Sequence, residues 1–239
     1  TMDSRKTRYE VSKVYAKAVK RSPGCCGGAT PEPKGVSAQF AGYSADQVGA
    51  LPADAVVNSF GCGNPVAFSE IGEGETVLDL GSGAGIDLLL AAKKVGPRGR
   101  VIGVDMTEEM LAKARANLRA AGVENVEVRR GIIEELPVES GMVDWVISNC
   151  VINLSPEKPR VFAEIARVLK PGGRMLVSDI VAEKFPEELR GDLNLYAACI
   201  AGAVSEGEYL EGLRAAGLEQ VEVRDRLIYD ADQIGALVG

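Results

Sequence analysis

Three glycines within five residues and five scattered cysteines are the parts of this sequence able to do chemistry. The glycines lie in Asp79-Leu80-Gly81-Ser82-Gly83-Ala84-Gly85, between the apolar Val77-Leu78 and the helix-forming Asp87-Leu88-Leu89-Leu90-Ala91-Ala92. The stretch therefore reads as strand, tight loop and helix. Glycines there let the backbone run close to a ligand, and the start of the helix offers it unpaired N–H groups. That is a nucleotide-binding turn. A dinucleotide fingerprint wants Gly-x-Gly-x-x-Gly, whereas the third glycine here comes one residue early, with Ile86 in its place, so NAD is the weaker reading. No Gly-Lys-Ser or Gly-Lys-Thr follows, which removes the phosphate-cradling loop of nucleoside triphosphatases. A nucleoside ligand without a pyrophosphate remains. Asp105, 20 residues past Gly85, ends the next apolar run, where a carboxylate can accept hydrogen bonds from both hydroxyls of a ribose. Its plainer role would be a helix-capping acid ahead of Thr107.

Histidine is absent, which excludes any mechanism needing an imidazole base and any zinc site with a histidine ligand. Five cysteines is an odd count at low density; in a reducing compartment it suggests ligands or catalytic thiols rather than a disulfide framework. Cys62, flanked by glycines, is sterically open. Cys150 follows the fourth apolar run, and taken alone it reads as a small core side chain. Cys25 and Cys26 are adjacent and bridge each other only through a strained ring, so they read as independent thiols. The spacing from 25 and 26 to 62, 150 and 199 lacks the short ligand pairs of structural zinc.

The elements that must position these residues follow from periodicity. Val11, Val14, Tyr15, Ala18 and Val19 predict an amphipathic helix over residues 7 to 20, there for packing. Residues 22 to 35, rich in proline and glycine, predict a mobile loop carrying the two adjacent thiols. From residue 75 strands and helices alternate: Val101 to Asp105, a helix capped by Thr107 and ended by Gly122, then strands at Val126 to Arg130, Met142 to Ser148 and Arg174 to Ser178. Ser155-Pro156 opens the helix before the last of these. The expectation is an α/β fold with a doubly wound, mostly parallel sheet, ligands meeting the carboxyl ends of its strands. Residues 1–74 form a helical N-terminal extension, 75–180 the cofactor-binding core, and 181–239 a C-terminal segment on the substrate side, with helices and a strand around Val221 to Tyr229.

Net charge is −7 with scattered basic residues, which argues against a nucleic-acid partner. No apolar run reaches the roughly 18 residues of a membrane span and no secretory signal is present, so a cytoplasmic protein is expected.

The loop from Asp79 to Gly85 resembles that of class I S-adenosylmethionine-dependent methyltransferases, which implies a Rossmann-like fold and that cofactor. With it, Asp79 orders the loop or meets the methionine ammonium, Gly81, Gly83 and Gly85 line the turn, and Met106 lies against the adenine face. Gly131-Ile132-Ile133-Glu134 resembles the family's adenine slot, Ile133 sandwiching the ring and Glu134 meeting its amino edge; Asn149 is counted with the cofactor-binding residues. Asn149-Cys150-Val151-Ile152-Asn153-Leu154-Ser155, Gly61-Cys62-Gly63-Asn64-Pro65, Cys199-Ile200-Ala201-Gly202-Ala203 and Cys25-Cys26 together resemble the arsenite S-adenosylmethionine methyltransferases. The resemblance covers most of the chain. It implies that Cys62, Cys150 and Cys199 hold trivalent arsenic and that one of the upstream pair, Cys25 or Cys26, takes part in thiol exchange; Cys26 is counted with the catalytic residues. It further implies arsenite or its glutathione conjugate as substrate, and glutathione or thioredoxin as reductant. It also predicts one more antiparallel strand, so either the chain is shortened at its C-terminus or the sheet ends differently. The chemistry agrees: trivalent arsenic is a soft centre that selects sulfur, and three thiolates leave its lone pair free to attack a sulfonium methyl without a protein base. A C- or O-methyltransferase of a small metabolite with packing cysteines, and a non-enzymatic metalloid or cofactor sensor, are the competing readings.

Overall fold

The structure, a computed structural model, describes residues 3–20, 44, 49, 51–57, 59 and 63–228. Cys25, Cys26 and Cys62 lie outside the described residues. Five strands, β1 (Thr76–Leu80), β2 (Arg100–Asp105), β3 (Val126–Arg130), β4 (Val143–Asn149) and β5 (Leu169–Ser178), form one parallel sheet in the order β3-β2-β1-β4-β5. The helices are α1 (Ser4–Lys20), α2 (Ala53–Val57), α3 (Pro65–Phe68), α4 (Ile86–Val95), α5 (Glu108–Ala120), α6 (Lys158–Val168), α7 (Leu193–Ala197) and α8 (Glu206–Ala215). This is the doubly wound parallel sheet of a Rossmann-like α/β fold.

The central strands are near-continuous apolar runs because both faces of the sheet are covered. On one face Val77, Val101, Trp145 and Ile147 pack against the leucines and alanines of α4. On the other, Leu78, Leu80, Ile102 and Val104 meet Val161, Phe162 and Ile165 of α6. Leu78, Leu80 and Ile102 are fully buried, and each such side chain contributes about 1.5–3 kcal/mol. A third, smaller apolar cluster joins Val11 of α1 to Cys150, Leu154, Tyr196, Cys199 and Ala201, with Tyr15 and Met106 packed against it.

The order of the strands reverses at β1, which pairs with β2 on one side and β4 on the other. The connections leaving β1 and β4 therefore diverge, opening a crevice at the carboxyl ends of those strands. The glycine loop leaves β1 and Cys150 leaves β4, so both chemical features of the sequence arrive at one crevice.

Three local expectations are corrected. Thr107 precedes α5 but its side chain caps nothing; its own N–H instead donates to Asp105 Oδ1 at 2.8 Å. α6 begins at Lys158 rather than at Pro156, while Ser155 Oγ accepts the Glu157 N–H at 3.0 Å. Residues 221–228 form no strand. They pair with neither edge strand of the sheet, β3 or β5, and Leu227 and Ile228 stand exposed. Among the described residues no helix is long and apolar enough to cross a membrane.

Candidate functional site

The crevice is a cleft lined by the turn after β1, the ends of β2 and β4, and α1. Its floor is the turn after β1, where Gly81, Gly83 and Gly85 have φ of 64°, 51° and 94°. Gly81 admits no side chain on a second count. A Cβ there would lie 2.3 Å from Cγ2 of Val151, so the turn and the residue after Cys150 are in direct contact. Gly81 and Gly83 line the cleft; Gly85 does not, and instead starts α4 as its N-terminal cap.

Asp105 ties this turn to the end of β2, its Oδ2 accepting the Gly83 N–H at 3.0 Å and its Oδ1 the Thr107 N–H. The Thr107 hydroxyl and the Met106 N–H also reach this carboxylate, which lines the cleft at the end of β2. Burial pushes the Asp105 carboxyl up. Asp79, 2% exposed, is raised well above the usual carboxylate range, first by burial and then by the neighbouring carboxylates of Asp87 and Asp105. Three acids around one cleft favour a cationic occupant. The cleft-lining hydroxyls of Ser59 and Ser82 have no hydrogen-bond partner among the described residues. A cleft with these features fits S-adenosylmethionine: acidic where its sulfonium and ammonium charges would sit, and polar where hydroxyls are to be met.

Met106 and Ile133 line the apolar wall of the cleft. Glu134 is buried beside them, accepting from Ser155 Oγ at 2.6 Å and from Arg8 Nη1 at 3.2 Å. Arg8 also pairs with Glu157 at 2.9 Å, so α1 is held over that end of the cleft. Asn149 holds the opposite end. Its Oδ1 accepts the Gly63 N–H at 3.1 Å, and its Nδ2 donates to the Gly63 carbonyl at 2.6 Å and to Asp87 Oδ2 at 3.2 Å. Gly63 is wedged there because a Cβ would fall 1.9 Å from Ser178 Oγ. The residue peptide-bonded to Cys62 is thus docked at the ends of β4 and β5, beside Cys150.

Cys150 lines the same cleft and is disulfide-bonded. Cys199, the other described cysteine, keeps a free thiol, which donates to the Cys150 carbonyl at 2.6 Å. Residues 49 positions apart are therefore in contact. Both have positive φ, 58° and 63°, in a region that L side chains other than glycine seldom occupy. Cys199 follows the end of α7: its N–H donates to the Tyr196 carbonyl and the Ile200 N–H to that of Leu195. That pattern is the left-handed helix stop normally filled by glycine. Strain held at two touching cysteines is a mark of functional use.

Cys199 is buried, and burial, followed by the charge of Asp179, pushes its thiol up; a hydrogen bond from Tyr15 and the Lys158 ammonium oppose this. Asp179 is itself raised to about 7, chiefly by burial, although Tyr209 OH, Lys158 and the Ile180 and Asn153 contacts pull it down. Lys158 Nζ reaches the Gly202 carbonyl at 2.7 Å, pinning the loop after Cys199 to α6. The described residues hold no group of three histidine, cysteine or acidic side chains able to bind a metal ion.

Sequence reasoning missed Arg8, Tyr15 and Ser155 as residues of the site. Arg8 and Tyr15 lie two turns apart on one face of α1, but nothing in the sequence says where that face docks.

A methyltransferase-domain family model matches residues 71–217. The arsenite methyltransferase of Halobacterium salinarum is 45% identical over 233 residues, 92% of this chain and 59% of that protein. Human arsenite methyltransferase is 33% identical over 82% of this chain and 53% of its own length. The chain thus spans between half and two thirds of these curated relatives. The crystal structure of an arsenic(III) S-adenosylmethionine methyltransferase from Chlamydomonas reinhardtii is 38% identical, covering 80% of this chain and 68% of that one, with a TM-score of 0.67. With the glycine turn and the acids around one cleft, and Cys150 at its wall in contact with Cys199, the chain belongs to the arsenite S-adenosylmethionine methyltransferase family.

Proposed function

We propose that this protein transfers methyl groups from S-adenosylmethionine to trivalent arsenic held by the thiolates of Cys62, Cys150 and Cys199. The observation that carries the reading is the contact of Cys199 with Cys150 at the wall of the cofactor cleft. Cys62 enters through its neighbour Gly63, docked by Asn149 next to Cys150. The names of the relatives favour the same substrate.

S-adenosylmethionine supplies an electrophilic methyl on a positively charged sulfur. Asp79, with Asp87 beside it, would balance the positive charge of the bound cofactor, Asp105 would take the ribose diol, and Met106 and Ile133 would flank the adenine, with Glu134 at its polar edge. The thiolates hold the substrate against the cleft, so an encounter becomes a first-order event. Three sulfur ligands leave arsenic its lone pair, which would bond to the methyl while the S–CH3 bonding pair stays on sulfur in the departing S-adenosylhomocysteine, so no base is needed. Binding is balanced in protons, since each thiol hydrogen leaves with the oxygen or thiol ligand it displaces. Methylation takes arsenic from the trivalent to the pentavalent state. Two electrons from a cysteine pair return it, the pair closing into a disulfide that glutathione or thioredoxin opens again, and Cys26 belongs to this exchange. The disulfide at Cys150 is consistent with a thiol that cycles in this way.

The test is incubation of the reduced protein with arsenite, glutathione and methyl-labelled cofactor, with arsenic species separated by chromatography. Methylated arsenic is expected, and Cys150→Ser and Cys199→Ser should lose it while still binding cofactor. Bound cofactor with no methylated arsenic, or full activity in both serine variants, would reject the proposal.

A further inference from the structure

Tyr15 has no part in the reading above, yet it is the one tyrosine of α1 that packs, partly buried, against the cysteines. Its hydroxyl donates to the carbonyl of Ala197 at 2.9 Å, two residues before Cys199, and stands near enough to the Cys199 sulfur to bear on its ionisation. Its ring packs on the cluster of Val11, Cys150 and Cys199 and lines the cofactor cleft. A phenol carries one hydrogen and here faces two acceptors.

We propose that Tyr15 is a positioning residue for Cys199: its hydroxyl swings from the Ala197 carbonyl to the sulfur when that sulfur becomes an arsenic ligand, holding it at the cleft. This rests on the arsenic-binding function proposed above. As a free thiol, Cys199 spends its hydrogen on the Cys150 carbonyl. On binding arsenic the thiol loses that hydrogen to the departing ligand, and the sulfur becomes an acceptor only. A hydrogen bond to a charged or strongly polarised acceptor is about twice as strong as a neutral one, so the phenol favours the bound form over the free. The other groups around Cys199 do not substitute for it. Lys158 is committed to the carbonyls of Ser155 and Gly202, and Asp179 offers only acceptors when ionised.

The position also gives α1 a reason for its docking. Arg8 at one end anchors the helix to Glu134, and Tyr15, seven residues on, delivers its hydroxyl to the thiols. Tyr15 is accordingly a determinant of substrate affinity supplied by an element outside the sheet.

The experiment compares the wild-type chain with Tyr15→Phe, Tyr15→Ala and Cys199→Ser, measuring arsenite binding by the ultraviolet absorption of arsenic–thiolate bonds, cofactor binding, and the dependence of methyl transfer on arsenite. Tyr15→Phe keeps the ring and should raise half-saturating arsenite about ten-fold, the usual size for a hydrogen bond to a charged group. Any change in its cofactor affinity should be much smaller than the change in half-saturating arsenite. Unchanged arsenite dependence in Tyr15→Phe with loss only in Tyr15→Ala would mean that the ring merely packs, and would overturn the proposal. Equal weakening of cofactor and arsenite by Tyr15→Phe would overturn it too. If wild type and Cys199→Ser alike show no arsenic–thiolate absorption, the arsenic function itself fails and this role with it, an outcome distinct from the first two.

Discussion

Adding a single methyl group at Gly81 tests whether the cofactor turn and the thiol segment are mechanically one unit. Gly81→Ala meets two penalties. The φ of 64° places an L side chain in the left-handed region, which costs roughly 1–2 kcal/mol. The new Cβ also lies 2.3 Å from Cγ2 and 2.7 Å from Cβ of Val151. Valine is stiff at χ1 and its Cβ is fixed to the backbone, so relief requires moving the chain beside Cys150. Overpacking of this kind costs about 1–3 kcal/mol. Together the substitution should lower stability by about 2–5 kcal/mol, a large share of the roughly 5–15 kcal/mol that holds a domain folded. Urea unfolding of Gly81→Ala, Val151→Ala and the double variant separates the two parts, because Val151→Ala removes the obstruction but not the backbone strain. The double variant should recover about 1–3 kcal/mol relative to the sum of the singles, and part of the lost cofactor affinity with it. Strict additivity, within about 0.5 kcal/mol, would refute the contact as the source of the damage and with it the mechanical link between the turn and Cys150.

Asp79→Asn should stabilise the cofactor-free protein at neutral pH while weakening cofactor binding. The folded-state pKa of Asp79 is raised, so its contribution to stability is greatest at low pH and declines as pH rises through the interval between the unfolded and folded values. Below about pH 4, where the unfolded carboxyl is protonated as well, wild type and variant should converge. Thermal melts of both proteins across pH check the convergence, and a variant less stable than wild type at neutral pH would contradict the sign. For Cys199, at the left-handed stop after α7, Cys199→Gly should be more stable than Cys199→Ala by about 1 kcal/mol, the reverse of their order inside a helix, while both lose arsenite binding. An alanine variant as stable as the glycine one would show the backbone there to be relaxed.

What the residues determined by themselves was the cofactor half of the protein. The apolar run, the glycines and Asp105 lie within 29 residues, and strand, turn and helix periodicities are local properties that short stretches carry whatever surrounds them. Tertiary structure decided the rest. Cys150 and Cys199 meet because the fold brings the ends of β4 and α7 together, and the left-handed conformation of Cys199 belongs to the helix stop after α7. Periodicity alone also failed at residues 221–228, where alternating side chains form no strand, since a strand exists only through a neighbour that takes its hydrogen bonds. Tyr15 shows the same limit from the other direction: one aromatic on an amphipathic helix reads as packing until the docking of that helix brings its hydroxyl to a sulfur 184 positions away. Contacts between residues distant in sequence are products of the whole fold, because loop-closure entropy is overcome only by the collective burial that builds the sheet and its flanking layers.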